Sequence, residues 1–162
     1  YQKKKMFSEY DFDSTVQLTG DNGAGKTSLL RLIPFFYGAT GTQIVRTSNV
    51  NKPFAEWYLP NNNSYLIFEF ITARGQTAHV ICYRNLSTKG GIVYLFVKGE
   101  FDQSVIIKQD HEEKPYAIVC SKLAAELTAK SFDYESRITS VKEYREIIQN
   151  INVSLLTIKF LS

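Results

Sequence analysis

The sequence predicts an α/β domain that carries a subdomain of antiparallel strands, and three observations predict it. A short β-type run, Ser14 to Thr19, enters a glycine-rich octapeptide, and a helix-type run, Lys26 to Ile33, leaves it. Three strand-like runs then follow one another across short turns, at Ser64 to Thr72, Thr77 to Arg84 and Gly91 to Val97. Strand, loop and helix in that order belong to α/β folds, while consecutive strands joined by short turns pair antiparallel. Residues 1–162 read as one unit in four stretches. Residues 1–38 hold strands, the glycine-rich loop and a first helix; 39–63 are a loop region; 64–101 are the antiparallel strands; 102–162 are mixed with helical segments.

The octapeptide Gly20-Asp-Asn-Gly-Ala-Gly-Lys-Thr27 spells G-x-x-x-x-G-K-[ST], the phosphate-binding Walker A loop (P-loop), so the fold class becomes a P-loop NTPase. Its backbone must curl so that successive N–H groups point inward at phosphate oxygens. Gly20, Gly23 and Gly25 keep Cβ atoms out of that curl, and Asp21, Asn22 and Ala24 fill the remaining positions. Lys26 supplies a cation that reaches the β- and γ-phosphates of ATP, which makes it the candidate catalytic residue. The Thr27 hydroxyl has the right length to ligate a Mg²⁺ bridging those phosphates. Ser28 follows inside a helix whose positive dipole end faces the phosphates. The bland reading of the same residues is a glycine-rich strand-to-helix turn.

At 162 residues with 44% hydrophobic and 14% aromatic content, the chain can bury the core of one domain. A net charge of +3 neither demands nor excludes nucleic acid or anionic lipid as a partner. Cys82 and Cys120 are far apart and accompanied by no secretory leader, so free thiols in a reducing cytoplasm are expected. No run approaches the length of a transmembrane helix, and no membrane partner is expected. The chain opens at Tyr1 and stops within the apolar stretch Leu155 to Ser162, which reads as a piece of something longer, because exposed terminal apolar residues lack a core to pack on.

Taken in order, Tyr1 to Phe12 reads as a first strand and turn, with a basic triplet at Lys3, Lys4 and Lys5. The first helix runs toward Tyr37, with Pro34 expected to kink it and Gly38 to stop it. Ala39 to Asn63 lacks periodicity and reads as a long loop or a short helix between loops around Trp57, Tyr58 and Leu59. In the first strand of the meander, Tyr65, Ile67, Glu69 and Ile71 share one face and Leu66, Phe68 and Phe70 the other, the pattern of a half-buried sheet. Lys98-Gly99-Glu100 makes a tight turn into Phe101. Ser121 to Lys130 has helical spacing, and Ser140 followed by Glu143 marks a capping box that starts a helix reaching Asn150.

A GTPase would want Asn-Lys-x-Asp to read guanine; Asn51-Lys52-Pro53-Phe54 lacks the aspartate. A small-molecule kinase would alternate parallel strands with helices, whereas this chain turns to antiparallel strands after its first helix. That layout and the wording from Leu18 to Leu32, with its Asn22-Gly-Ala-Gly-Lys-Thr27 core, resemble the N-terminal half of ATP-binding cassette heads of the SMC, RecF, RecN and SbcC type. The resemblance covers about residues 1–97. The wording at Pro34 to Gly38, Trp57 to Pro60 and Ser64 to Glu69 is similar to large bacterial coiled-coil members, some of them in anti-phage or anti-plasmid systems.

The resemblance implies an ATP-binding cassette head lobe that is completed by a C-terminal half of the same head. It implies that two such heads form a homodimer around Mg²⁺ and ATP, and that the assembly acts on DNA in maintenance, repair or defence, with accessory subunits. The family's signature loop, Walker B pair and switch histidine belong to the C-terminal half, so this chain alone is expected to bind ATP and hydrolyse it poorly. Gln109 and Gln149 are the candidates for the family's Q-loop glutamine. Arg46 stands where such heads carry an arginine that reaches the nucleotide or DNA, with a solvated loop arginine as its alternative; Asn49, Asn51 and Lys52 share that loop.

Rival readings rest on other residues. Glu69, after Tyr65 to Phe68, mimics a Walker B acid and would be the catalytic base of a self-contained kinase or NTPase, against the simpler reading of an outward strand residue. A vestigial structural module would leave the loop without nucleotide. His79 and Cys82 fall on opposite strand faces and His111 sits in an acidic turn, so a zinc site is not expected. Phe35, Phe36, Tyr37 and Trp57 would stack on a base or, more commonly, pack in a core. The lysine triplet would attract phosphate or guard a strand edge.

Overall fold

The computed structural model describes residues 7–12, 30–44, 53–85 and 91–162. Strand β1 spans Phe7–Phe12, followed by short helices α1 (Leu32–Phe36), α2 (Gly41–Ile44) and α3 (Phe54–Tyr58). The meander is β2 (Tyr65–Thr72), β3 (Thr77–Asn85) and β4 (Gly91–Lys98). A hairpin of β5 (Ile107–Gln109) and β6 (Pro115–Ala117) precedes helices α4 (Leu123–Ala129) and α5 (Val141–Gln149) and a last strand, β7 (Val153–Leu161).

Five strands form one sheet in the order β1-β7-β2-β3-β4, and every pairing in it is antiparallel. The β2–β3 turn closes through Gly75, whose φ of +79° suits a residue without Cβ. The apolar run Leu155 to Leu161, expected to lack a core, lies in the middle of the sheet, with β1 on one side and β2 on the other. Its alternation explains this: Leu156 and Ile158 enter one face, while Thr157 and Lys159 belong to the other.

The expectation of a half-buried sheet is overturned, because both faces are covered. On one face Leu66, Phe68, Phe70, Val80, Cys82 and Tyr94 pack against α1, α3 and α5. On the other, Tyr65, Ile67, Ile81 and Leu95 pack against Val105, Leu123 and Leu127 from the segment that follows β4. Alternation separates the two faces correctly but does not reveal a cover supplied from later in the chain. The segment after α4 also shields β4, with bridges from Tyr134 to Val97 and from Ile138 to Tyr94.

The helices follow local rules. The helical run lapses at Arg31 before α1 resumes, since Pro34 has no N–H to offer the Leu30 carbonyl. Gly38, at φ +95°, ends α1, and its N–H donates to the Phe35 carbonyl at 3.0 Å. The long loop region contains α3 with Pro53 at its N-cap, and Leu59 just beyond it is fully buried. Ser140 caps α5 by accepting from the Glu143 N–H at 3.4 Å.

Candidate functional site

The octapeptide and its extension, Gly20, Asp21, Asn22, Gly23, Ala24, Gly25, Lys26, Thr27 and Ser28, lie outside the described residues, as do Arg46, Asn49, Asn51, Lys52 and the lysine triplet. The flanks of the loop are described. The chain leaves the sheet edge at Phe12, opposite Leu156, and is helical at Leu30, just before α1. Helix α1 is firmly seated. Phe35 and Phe36 are fully buried, and Phe35 stacks on Phe54 with ring centroids 4.5 Å apart.

Two α5 side chains hold the far end of α1. The Tyr144 hydroxyl donates to the Phe36 carbonyl at 2.5 Å, and Arg145 Nε donates to the Gly38 carbonyl at 3.0 Å. Both carbonyls lie at the end of a helix, where no further turn supplies a donor. A Cβ on Gly38 would stand 2.8 Å from Arg145 Cβ, so glycine permits the approach as well as the turn. An open depression of about 560 Å³ lies between Leu30, Arg31 and Pro34 on one side and Gln43 and Ile44 on the other. It lies between the helix that follows the octapeptide and the end of α2 at Ile44.

A second polar group crosses the sheet. One register row runs Asp11, Thr157, Glu69, His79 and Val97 across all five strands. Glu69 is not the outward strand residue expected. Its Oε2 accepts the Phe101 N–H at 2.5 Å and its Oε1 the Lys159 ammonium at 3.3 Å. Lys159 also lies 5.5 Å from the centre of the Phe101 ring, a cation–π distance. The physical reason is the cover after β4: the turn at Gly99, with φ +88°, swings Phe101 over this face, and its backbone then needs an acceptor.

His79 is fully buried in the same row, between Phe101 and Phe132. Its Nδ1 lies 2.8 Å from the Gly99 carbonyl, so that nitrogen carries the proton and donates it. Burial lowers its pKa and Lys159 adds to that, against the opposing pull of the carbonyl bond and of Glu69. With both oxygens engaged, Glu69 is a poor general base. Glu69, His79 and Lys159, which is two residues along β7 from the row, form a polar cluster that anchors the cover.

The remaining candidates separate. Gln109 and Gln149 are exposed, on β5 and at the end of α5. His79 and Cys82 face opposite sides of β3, and both cysteines are free thiols. Phe35 and Phe36 are core, whereas Trp57 and Tyr37 are 50% and 41% exposed. Among the described residues no helix is long and apolar enough to cross a membrane. Sequence reasoning missed Lys159, Tyr144 and Arg145. The Thr-x-Lys alternation within Leu155 to Leu161 was the available signal for the first.

No curated protein and no solved structure matches the chain at a significant level. A family model described as "Protein of unknown function (DUF3584)" matches residues 3–158, nearly the whole length. The octapeptide, α1 and the sheet up to Ile158 of β7 fall inside that span, and the chain belongs to the DUF3584 family.

Proposed function

We propose that this chain binds Mg²⁺ and ATP through Gly20 to Ser28, as the N-terminal lobe of an SMC-like ATP-binding cassette head with a P-loop NTPase fold. The carrying observation is the octapeptide with its intact Lys26 and Thr27. The donor set of the sequence suits the group: glycine-rich backbone N–H groups and an ammonium for the phosphates, and a hydroxyl for the cation. Bound Mg²⁺ would neutralise charge that develops between the β- and γ-phosphates. Arg46 is assigned to the nucleotide or DNA on the resemblance alone, since it lies outside the described residues. Support also comes from the seating of α1, the helix that follows the octapeptide in the chain, against β2, α3 and α5.

In this reading the chain pairs with its C-terminal half, two heads form a homodimer around ATP, and the assembly works on DNA in the cytoplasm. The self-contained kinase or NTPase is the weaker reading, because Glu69 is occupied by Lys159 and the Phe101 N–H. The test is titration of Mg·ATP into the chain and into Lys26→Ala, with GTP as competitor and turnover followed in parallel. Binding that Lys26→Ala abolishes, without turnover by the chain alone, is expected. Turnover by the chain alone would support the self-contained enzyme, and no binding by chain or full-length protein would leave a structural module. Joined to the C-terminal half, the chain is expected to dimerise with ATP; a strictly monomeric species would sink the head assignment.

A further inference from the structure

Four segments converge on a cavity of about 330 Å³ at the end of the sheet opposite the Glu69 row. Arg84 comes from the end of β3, Arg137 from the segment bridged to β4, Ser121 from the turn before α4 and Asn62 from the turn before β2. The walls are tied together. The Cys120 N–H donates to the Asn62 carbonyl at 2.7 Å, and the Tyr65 hydroxyl donates to the Ile118 carbonyl at 2.8 Å. Arg84 is itself pinned, with Nη2 donating to the Pro60 carbonyl at 2.8 Å.

The charge of this cavity is unbalanced. No aspartate or glutamate stands among the described residues that line it, so neither guanidinium has a counter-charge in its wall. Arg84 Nε is buried and has no hydrogen-bond partner. Arg137 lies beside the Tyr83 hydroxyl, which adds a further polar group to the same wall. Buried polar groups are normally satisfied, and a held arginine with no carboxylate in reach suits an incoming oxyanion.

We propose that this cavity binds a small phosphate monoester, its dianionic phosphate held between Arg84 and Arg137 with Asn62 and Ser121 as further polar contacts. Two guanidinium charges match a dianion. Tetrahedral oxygens accept from donors arriving on different sides, as they do from four separate segments here. The volume leaves room for a small group esterified to the phosphate. The site stands on elements other than those that flank residues 20–28, so it is independent of the nucleotide reading.

The test is a titration of the whole chain followed by amide NMR, with inorganic phosphate and glycerol 3-phosphate as probes and sodium chloride at matched ionic strength as control. Both probes are expected to shift the amides of Ser121, Ala124 and Asn62, equally in the natural chain and in Lys26→Ala. Arg137 is exposed, so Arg137→Gln keeps the fold, checked by its melting curve, and is expected to weaken the response at least about tenfold. Equal shifts with chloride, loss of the response in Lys26→Ala, or full retention in Arg137→Gln would each overturn the proposal.

Discussion

The two faces of the sheet are buried by different means. On the face toward α1 and α5 the contacts are aromatic. Tyr144 stacks on Tyr94 with centroids 4.0 Å apart, Phe36 packs on Phe68 at 5.3 Å, and the few polar atoms there point at helix-end carbonyls. On the face toward residues 102–134, apolar packing shares the surface with the cluster of Glu69, His79 and Lys159. The first face is held by shape and resists loss of volume. The second is held partly by charge, and it should respond to pH and to the loss of one partner.

The largest effect is expected on the aromatic face. Tyr144→Ala removes the stack on Tyr94 and the bond to Phe36 together, and should lower stability by about 3–5 kcal/mol in urea titrations. Tyr144→Phe keeps the ring and should cost about 1 kcal/mol. If the two cost the same, packing is not what holds that face.

Lys159→Met tests the charged face. It leaves the Glu69 carboxylate, 19% exposed, without its cation, and about 2 kcal/mol should be lost, less than for a fully buried pair. Adding Glu69→Gln removes the charge while keeping an acceptor for the Phe101 N–H, and should recover more than half of that loss. No recovery would mean that Lys159 acts through its methylene stem instead.

Gly38→Ala forces a side chain into positive φ against Arg145, and a cost of about 1–2 kcal/mol is expected from the urea midpoint. The smallest effect is that of pH. Because burial depresses the folded pKa of His79, the unfolded chain binds its proton more readily than the folded one. That contribution is complete above the ordinary histidine pKa of 6.5 and declines as pH falls below it. Urea midpoints at pH 7.5 and 5.5, about one unit either side of that value, should differ less in His79→Gln than in the natural chain. Equal slopes would place the acid sensitivity elsewhere.

The meander was legible because its pairing is local: alternating runs joined by short turns leave few ways to fold. The stop at Gly38 and the start at Ser140 were legible because single residues carry them. What escaped the sequence was non-local. Nothing near Glu69 says that Phe101 returns over it, and nothing near Leu155 says that β1 and β2 leave a gap one strand wide. The short β5–β6 hairpin also went unforeseen, since three-residue strands carry too little pattern to register. The proposed nucleotide site rests on the octapeptide alone, which lies outside the described residues; what the structure describes is the grip on the helix that follows it.

The central place of β7 also sets an order of events in folding. The β2–β3–β4 meander can close as soon as it is made, through turns of a few residues. Strand β1 must wait, since its described partner is β7 and their first register pair joins Phe7 to Leu161, at opposite ends of the chain. Closing so long a loop is entropically costly and slow. Of the strands of this sheet, β1 is therefore made first and docks last, once residues 153–161 slot in beside β2.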